Sequence, residues 1–352
     1  MAAHHEIHLE SYVVKKLVEN GWVEGSNSHY DPVRALYPED VVDWIKTSQP
    51  EAWEKLVRLN GGDVEKAVLD RLEKALAAKS GGTMKVLRQG FDMAGCGNIA
   101  MGQAAPEDER NSKEVEKYQS NILRVVRQLK YCPTREWAID LGFFINGIPV
   151  ATIELKTDFT QAIDDAIWQY KRDRLPQDPQ TKRKEPLLTF KRGAVVHFAM
   201  SDSEVAMTTH LNGDKSFFLP FNKGNDGHAG NKPRNDGEYP VAYFWEEICQ
   251  RDAWLRIFHS FVYVETKDKV DKLGMPYKAE TLIFPRYHQF AAVNSMIADA
   301  KALGPGQQYL CEHSAGSGKT STIAWTAHDL IKLRYPDGKA YFNSVIIVTD
   351  RT

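Results

Sequence analysis

The feature of the sequence that most constrains the fold is an alternating apolar pattern on both sides of Asn146-Gly147. The apolar positions are Ile139, Leu141, Phe143 and Ile145 before this pair, and Ala151, Ile153 and Leu155 after it. Residues two apart lie on the same face of a β-strand, and Asn-Gly favours a tight hairpin turn. The pattern therefore predicts a β-hairpin within a strand-rich segment that covers residues 122–156.

Three charged residues lie on the hairpin face opposite to these apolar positions. Glu154 and Lys156 share that face because they are two residues apart, and the even-numbered Asp140 faces the same way on the first strand. A regular two-residue turn would place Asp140 opposite Ile153 and separate the two carboxylates. We therefore predict a one-residue bulge or an odd-length loop, either of which would place Asp140 opposite Glu154.

Two carboxylates beside a lysine suit metal-dependent cleavage of a phosphodiester. Asp140 and Glu154 would be hard oxygen ligands for Mg²⁺, and such an ion can polarise a phosphodiester and lower the pKa of a water molecule. Lys156 could orient that water or neutralise charge on the phosphate. The alternative interpretation is a solvated strand face with a Glu/Lys pair, because one face of an antiparallel sheet is often exposed. The residues alone leave both interpretations open.

A second motif, His313-Ser-Ala-Gly-Ser-Gly-Lys-Thr320, has the form of a phosphate-binding loop. Its glycines would let backbone N–H groups approach phosphates, Lys319 would reach the β- and γ-phosphate oxygens, and Thr320 would ligate Mg²⁺. The candidate ATP-binding residues are Gly316, Ser317, Gly318, Lys319 and Thr320. The general pattern has glycine where this chain has His313. The alternative is a Gly/Ser turn that opens a helix.

Apolar periodicity and turn residues predict the other elements of the first part of the chain. The predicted helices cover residues 10–20, two segments within 38–62 with the second starting near Pro50, and 63–80. An irregular connection is predicted at 90–102, and a helix with an Asp158/Gln161 capping box is predicted to reach about Asp173. An exposed loop (175–193), paired strands (194–200 and 204–211), a Gly/Asn-rich loop (221–237) and a helix (243–264) follow.

The polar stretch at 265–278 is the predicted domain boundary. Beyond it we predict a helix at 286–303, a break at Gly304-Pro305-Gly306, a strand ending near Cys311, a helix to about Lys332, and a strand at 344–349. This order is that of the start of a doubly wound α/β domain. The predicted organisation is a first domain at 1–265, a linker at 266–279 and the first part of a second domain at 280–352.

Charge, hydropathy and cysteine content restrict the class of protein. A net charge of −2 excludes a globally basic nucleic-acid binder but permits local basic surfaces. No apolar run approaches the roughly 20 residues of a membrane span, and the first residues lack the features of a signal peptide. We therefore expect a cytoplasmic protein without a membrane partner. Four scattered cysteines without metal-ligand spacing predict buried free thiols.

A basic run at 181–192, TKRKEPLLTFKR, contains five basic residues and one acidic residue. It follows the helix predicted after the hairpin closely, so it could contact DNA phosphates, and binding would then weaken with salt. Such runs are also common in solvated loops. Both interpretations stay open.

Several strings resemble a known family: IDLGFFINGIPVATIELK, QAIDDAIWQYKRDR, VHFAMSDSEVAMTTHL and FLPFNKG. Asp140 and Glu154-Leu-Lys156 on a hairpin, preceded by a helix that carries Glu10, resemble the PD-(D/E)xK nuclease fold. More narrowly, the strings resemble the amino-terminal part of the restriction (HsdR) subunit of type I restriction-modification enzymes. The resemblance implies a PD-(D/E)xK-like α/β nuclease domain followed by the beginning of a RecA-like P-loop domain. It also implies that Asp140, Glu154 and Lys156 are the cleavage residues and that Glu10 assists the metal.

The resemblance extends to two glutamine elements. Many members of the family have a QxxxY element on the helix after the hairpin, whereas here Gln169 and Tyr170 are adjacent and Ala166 lies four residues before Tyr170. Core packing of Tyr170 is an equally open interpretation. Pro285-Arg-Tyr-His-Gln289 is similar to the Q motif of superfamily 2 helicases, which implies that Gln289 reads adenine. An exposed helix start is the alternative for Gln289.

The function implied by the resemblance is that of the endonuclease and ATP-dependent DNA translocase subunit of a type I system. Such a subunit would cleave unmodified double-stranded DNA in a Mg²⁺-dependent reaction after translocation. Its partners would be modification and specificity subunits, with S-adenosylmethionine bound by the former and not by this chain. We expect this polypeptide alone not to translocate, because it lacks an acidic Walker B motif, a second lobe and an arginine finger. A different class is a P-loop nucleotide-binding DNA-remodelling or regulatory module with a non-catalytic ExK hairpin.

Overall fold

The computed structural model describes residues 2–107, with side chains from residue 8, together with 110–157, 162–271, 274–314 and 316–349. These residues form two compact units. The first unit contains Met1–Ala104 and Glu116–Phe284, and the second contains Ala105–Val115 and Pro285–Thr352.

The α-helices of the described residues follow the apolar periodicity of the sequence. They are α1 (Ala2–Glu19), α2 (Pro38–Ser48), α3 (Pro50–Asn60), α4 (Val64–Ala77), α5 (Thr83–Gln89), α6 (Ser112–Gln119), α7 (Ile163–Arg172), α8 (Arg251–Arg256), α9 (Tyr287–Leu303) and α10 (Lys319–Lys332). Prolines at the first positions of α2 and α3 suit helix starts, because the missing N–H would have had no partner there. The helices predicted at 10–20, within 38–62, at 63–80 and up to about Asp173 are confirmed, whereas α5 and α6 were not predicted.

The strands form one large mixed sheet and two small hairpins. They are β1 (Val23–Gly25), β2 (Phe91–Met93), β3 (Gly97–Ile99), β4 (Leu123–Lys130), β5 (Ala138–Ile145), β6 (Ile148–Leu155), β7 (Val196–Met200), β8 (Val205–Thr208), β9 (Leu219–Pro220), β10 (Tyr263–Val270) and β11 (Pro276–Ile283). The large sheet has the order β1-β4-β5-β6-β7-β8-β9. Strands β1 and β4 are parallel, as are β6 and β7, and the other neighbours are antiparallel.

The central hairpin β5–β6 contains the predicted irregularity. Its turn has φ angles of 50° at Asn146 and 78° at Gly147, as expected for an Asn-Gly turn in which both residues have positive φ. The pairing shifts between Phe144, which faces Pro149, and Phe143, which faces Ala151. The single residue between these partners, Val150, is therefore a β-bulge, and the prediction of a one-residue bulge is confirmed.

The central sheet is covered on both faces, which differs from the solvated hairpin face considered from the sequence. Phe143 packs against Trp22 and Trp254, with ring centroids 5.1 and 5.6 Å away. The neighbouring Phe144 belongs instead to a core cluster that includes Tyr30. All eight residues of β6 are buried. The interpretation of the Asp140 and Glu154 face as a solvated strand surface is therefore wrong for Glu154.

Two segments predicted without strands form hairpins. The connection predicted as irregular at 90–102 contains β2 and β3, paired over three residues. The polar stretch predicted as a boundary, with a linker at 266–279, lies in the β10–β11 hairpin, which belongs to the first unit. The side chains of β10 and β11 are mostly exposed, so the sequence shows no apolar alternation there. Hydrogen bonds between the paired backbones hold these two strands together. The break between the units lies after Phe284.

Two further predictions need correction in the first unit. The loop predicted as exposed at 175–193 is anchored by Leu187 and Leu188, which lie in the core, because an apolar pair inside a charged run still has to be buried. The helix predicted at 243–264 is interrupted by two π-helical segments, Phe244–Ile248 and Ile257–Phe261, on either side of α8. The Asp158/Gln161 capping box lies outside the described residues.

The second unit contains the predicted helices α9 and α10, with the predicted break after Leu303. The strands predicted to end near Cys311 and to cover 344–349 are wrong, since no strand is assigned in the described parts of this unit. Leu310, Ile346 and Val348 are highly exposed. A strand needs a hydrogen-bonded neighbour, and in the described part of this unit no strand is assigned beside either segment. Its RecA-like fold stays a prediction.

All four cysteines are free, and Cys132 and Cys249 are buried, as predicted, whereas Cys311 is exposed. Within the described residues, no helix combines the length and the apolar character that crossing a bilayer requires.

Candidate active site

The bulge brings the two predicted carboxylates together. Beyond it, Leu141 pairs with Ile153, and the same register places Asp140 opposite Glu154. Asp140 Oδ2 accepts a hydrogen bond from the backbone N–H of Leu155 at 2.7 Å. Asp140 is therefore held against the strand that carries Glu154, as the hairpin argument predicts.

Glu154 is fully buried, with an exposed fraction of 0%. The guanidinium of Arg174 donates from Nε to Glu154 Oε1 at 2.6 Å, whereas Oε2 is buried and has no hydrogen-bond partner. Burial raises the pKa of Glu154 well above its usual range, and the charge of Asp140 raises it further, while Arg174 lowers it. A cation between the two carboxylates would stabilise the ionised form that burial disfavours.

Arg174 was not predicted as a site residue. It lies two residues after the end of α7, and its side chain is 13% exposed. The sequence places it twenty residues from Glu154, and no periodicity connects the two positions. The cluster of basic residues at the end of the helix, Lys171, Arg172 and Arg174, is the signal that could have suggested a charged partner for the carboxylates.

Lys156 follows Glu154 at the end of β6. Its backbone N–H donates to the carbonyl of Met200 at 2.9 Å, which continues the parallel pairing of β6 with β7. The side chain is half-buried. Its positive charge lowers the pKa of Glu154, which burial and the charge of Asp140 raise.

Glu10 on α1 joins the same cluster through β4. It is 5% exposed, and its Oε1 accepts from Arg127 Nε at 2.7 Å. Gln128 Nε2 donates both to Glu10 Oε2 at 2.5 Å and to Asp140 Oδ1 at 3.2 Å. The structure therefore places Glu10 one side chain away from Asp140.

Tyr170 on α7 is completely buried in the core cluster. Its hydroxyl and Thr152 Oγ1 are 2.8 Å apart, and Thr152 Oγ1 is 2.7 Å from His197 Nδ1. Burial raises the pKa of Tyr170 well above its usual range, as does the neighbouring charge of Glu154. Core packing thus accounts for the position of Tyr170, which also borders the carboxylates.

Gln169 precedes Tyr170 on α7 and is half-buried. Its backbone carbonyl accepts the N–H groups of Asp173 and Arg174, at 2.8 and 3.1 Å, so it helps to end the helix. Its side-chain Oε1 is buried without a hydrogen-bond partner. A catalytic role for Gln169 or Tyr170 stays a prediction.

The donor set fits Mg²⁺ better than a metal held by protein ligands alone. Within the described residues, no group of three or more Asp, Glu, His or Cys side chains could hold a metal ion. Mg²⁺ is often bound by one or two carboxylates, with water and substrate phosphate as the other ligands. Asp140 and Glu154 meet this requirement, and the unpartnered Glu154 Oε2 provides an available ligand atom. Thr320, the third predicted metal ligand, is exposed and belongs to the second unit.

The predicted phosphate loop leads into α10. Gly318 has a left-handed backbone, with a φ of 83°, and the helix begins at Lys319. Lys319 Nζ donates to the carbonyl oxygens of His313 and Ser314, at 2.7 and 3.2 Å. The ammonium group of Lys319 therefore binds the backbone at the start of the loop. The loop lies before a helix start, where backbone N–H groups favour anions.

Gln289 lies against this loop. It is 4% exposed, and its Nε2 donates to the carbonyls of Ser317 and Gly318, at 3.2 and 3.0 Å. Its Oε1 accepts from the N–H of Arg286 at 2.9 Å, which caps the start of α9. The alternative interpretation of Gln289 as part of an exposed helix start is therefore wrong. Recognition of adenine by Gln289 stays a prediction.

Two of the basic residues in the run at 181–192 make contacts within the protein. Lys191 pairs with Glu280 at 2.8 Å, and Arg192 Nη2 donates to the carbonyl of Arg34 at 3.1 Å. The first three basic residues, Lys182, Arg183 and Lys184, are exposed. These three are the part of the run that is accessible to a nucleic acid.

The fold and the site together define a nuclease-like α/β domain, in which a central hairpin presents facing carboxylates beside a lysine. Residues 38–216 match the family model described as type I restriction enzyme R protein N terminus. The match covers half of the chain, and the chain belongs to this family.

A relative from Methanocaldococcus jannaschii, named "Putative type I restriction enzyme MjaVIIIP endonuclease subunit", is 27% identical over 248 residues. The similarity covers 68% of this chain and 20% of the relative, so the chain matches about a fifth of the length of that protein.

Proposed function

We propose that the first unit is the Mg²⁺-dependent endonuclease of a type I restriction enzyme R subunit and cleaves phosphodiester bonds of double-stranded DNA. The observation that carries this proposal is the facing pair of Asp140 and Glu154, in which the buried Glu154 Oε2 has no hydrogen-bond partner. Mg²⁺ bound by this pair would polarise the scissile phosphodiester and activate water for attack on phosphorus. Membership of the family supports DNA as the substrate.

Each residue near the pair has a physical role in this proposal. The N–H of Leu155 fixes the orientation of Asp140, because a charge-assisted hydrogen bond holds one of its oxygens. Glu154 would hold the cation through Oε2, its oxygen without a hydrogen-bond partner. Lys156, adjacent to the pair, neutralises the charge that develops on the phosphate. Burial of the site strengthens each of these interactions, since the surrounding medium is less polar than water.

Arg174 has to share Glu154 with the cation. Its guanidinium already neutralises Glu154 through Oε1, and replacing that contact would cost the free energy of one charged hydrogen bond. Mg²⁺ on Oε2 and Arg174 on Oε1 can bind the same carboxylate at once, because each oxygen has its own lone pairs. The ion pair therefore holds Glu154 in one orientation before the cation arrives.

The Arg174–Glu154 ion pair also favours a second candidate function. A buried carboxylate that is neutralised by arginine resembles a structural ion pair, in which case the hairpin would be non-catalytic. The chain would then be a P-loop nucleotide-binding module for DNA remodelling or regulation. The two proposals differ in what Glu154 does when Mg²⁺ and DNA are present.

Plasmid nicking separates the two proposals. We expect the wild-type chain to nick plasmid only when Mg²⁺ is present. Glu154→Gln and Lys156→Ala should each lower the nicking rate at least about 100-fold, because each removes a group that acts on the reacting phosphate. Glu65→Gln should leave the nicking rate unchanged. Glu65 is a suitable control because it is an exposed acid on α4, 3.4 Å from Lys46. Equal nicking by wild type and Glu154→Gln would overturn the nuclease proposal, as would nicking that persists after chelation of Mg²⁺.

We further propose that Gly316, Ser317, Gly318, Lys319 and Thr320 bind ATP. Lys319 would exchange the carbonyls of His313 and Ser314 for phosphate oxygens, which are stronger acceptors because they are charged. Gln289, fixed against the loop, would transmit the position of the loop to α9. In the complete enzyme this site would serve translocation along DNA, with modification and specificity subunits as partners.

A further inference from the structure

Gln128 has an unusual backbone conformation at the edge of the proposed cation site. It lies opposite Asp140 in the register set by its neighbours, since Arg127 pairs with Leu141 and Leu129 with Ile139. Its φ of 45° falls in the left-handed region, which is unfavourable for a residue other than glycine. Such strain persists only where the surrounding structure enforces it, and it is concentrated at functional sites.

The side chain of Asn27 enforces this conformation. Asn27 Nδ2 donates to the carbonyl oxygens of Arg127 and Gln128, both at 2.9 Å, and its Oδ1 accepts from the N–H of Lys130 at 2.8 Å. One amide side chain therefore satisfies three backbone groups around Gln128. Asn27 is itself held at the start of a short 3₁₀ turn, Asn27–His29.

The side chain of Gln128 connects two acids that come from different elements. The two hydrogens of its Nε2 serve Glu10 on α1, at 2.5 Å, and Asp140 on β5, at 3.2 Å. The other oxygen of each acid is held as well, by Arg127 for Glu10 and by the N–H of Leu155 for Asp140. Both carboxylates are thus oriented through both of their oxygens.

We propose that Asn27 and Gln128 are positioning residues of the cation site. Asn27 holds the backbone of Gln128 in the left-handed region, and the amide of Gln128, anchored on Glu10, fixes the carboxylate of Asp140 in the orientation that binds Mg²⁺. This inference rests on the proposed function. It assigns a role to two amide side chains, Asn27 and Gln128, that the family resemblance did not indicate.

The advantage of this arrangement is preorganisation. Free carboxylate side chains lose rotamer freedom when they bind a cation, and hydrogen bonds made beforehand remove that cost from the binding step. A carboxylate oxygen has about two lone-pair sites, so an oxygen that accepts from Gln128 can still bind a cation. Hydrogen bonds to metal ligands typically change metal affinity by about 10- to 100-fold.

Gln128 can be replaced with little effect on the fold, because its side chain is exposed. Glycine adopts a positive φ without strain, so Gln128→Gly removes the amide while keeping the backbone conformation. A role of Gln128 in stability alone predicts a lower unfolding temperature and unchanged Mg²⁺ binding. A positioning role predicts weaker Mg²⁺ binding.

The test is calorimetric titration of the full chain with Mg²⁺, together with thermal unfolding of each variant. We expect Gln128→Gly and Asn27→Ala each to weaken Mg²⁺ affinity about 10-fold. The double variant should bind no more weakly than Gln128→Gly, because Asn27 acts through Gln128. Lys130→Gln, a change at an exposed residue of the same strand, should leave the affinity unchanged, and Asp140→Asn should remove binding at this site.

The outcomes separate this inference from the proposed function. If Asp140→Asn removes Mg²⁺ binding while Gln128→Gly binds as tightly as wild type, Gln128 does not position the ligands, although the proposed function stands. Additive effects of the two changes would overturn the claim that Asn27 acts through Gln128. If Asp140→Asn binds Mg²⁺ as tightly as wild type, the proposed function and this inference both fail. Gln128→Gly remains informative even if Asn27→Ala lowers the unfolding temperature.

Discussion

Replacement of Arg174 by methionine removes a buried guanidinium from Glu154 while keeping a long unbranched side chain. Glu154 is 0% exposed and the Arg174 side chain 13%, so water cannot replace the lost partner at full strength. Removing one member of a buried ion pair typically costs about 3–5 kcal/mol of unfolding free energy. We expect Arg174→Met to fall near the lower end, about 3 kcal/mol, because protonation of Glu154 relieves part of the uncompensated charge.

The same change has a second, opposite consequence when Mg²⁺ is present. In Arg174→Met the cation would be the main positive charge on the Glu154 carboxylate, so it should stabilise the variant more than it stabilises wild type. A ligand that binds the folded state alone, at a hundred times its dissociation constant, adds about 2.7 kcal/mol. Mg²⁺ should therefore recover much of the loss in Arg174→Met.

Urea unfolding followed by tryptophan fluorescence measures both effects, since Trp22 and Trp254 are buried beside the central sheet. The double variant Glu154→Gln/Arg174→Met should be less destabilised than the sum of the single variants by at least about 1 kcal/mol, because the two residues interact directly. Additive single effects would refute a coupled ion pair. An equal effect of Mg²⁺ on wild type and Arg174→Met would refute a shared carboxylate.

Three other changes test separate parts of the chain. Asp40, buried on α2, accepts two hydrogen bonds of 2.6 Å from Arg124, so Asp40→Asn should cost about 3–5 kcal/mol in urea unfolding. Glu39→Gln, at an exposed acid 3.2 Å from the same arginine, should cost less than about 1 kcal/mol, and equal costs would contradict the argument from burial. Burial lowers the pKa of His197 to about 3, against an ordinary value of 6.5, so below pH 6.5 the unfolded state takes up a proton that the folded state excludes. His197 therefore contributes stability above pH 6.5 that is lost as the pH falls towards 3, at about 1.4 kcal/mol per pH unit, and His197→Asn should remove that slope; parallel stability curves would disprove it. Lys319→Ala should weaken binding of a fluorescent ATP analogue by at least about 10-fold without changing the unfolding of the first unit, and unchanged nucleotide affinity would exclude the loop as the phosphate site.

The central hairpin could be predicted from the sequence because residues close together in the chain determine its structure. The alternation on both sides of Asn146-Gly147 determines which residues share a face, and the need to bring Asp140 to Glu154 then requires the bulge. This bulge is present at Val150. A period of two residues and a turn motif were sufficient for this part of the site.

Arg174 and Gln128 could not be predicted in the same way. Arg174 contacts Glu154 from two residues beyond the end of α7, and no local pattern encodes that contact. The role of Gln128 depends on a left-handed backbone that Asn27 enforces from about a hundred residues earlier, at 2.9 Å. Both are consequences of tertiary contacts.

The strand predictions failed where pairing, not side-chain pattern, decides the structure. The polar residues of β10 and β11 form strands because their backbones pair along eight positions. The apolar segment 344–349 has no strand assigned to it in the described part of the second unit. Apolar composition indicates that a segment could be a buried strand, but a strand forms only beside a neighbour.

Because of the bulge at Val150, the geometry of the candidate active site depends on the number of residues in β6 as well as on their identity. Deleting one amino acid between the Asn146-Gly147 turn and Glu154 would restore a regular ladder and rotate every later side chain of β6 to the reverse surface of the sheet. The side chain of Glu154 would then point to the face of the sheet that Ile153 now occupies, although the residue itself would be unchanged. An alignment of distant relatives that opens a gap in this short stretch would therefore match carboxylates that point in different directions.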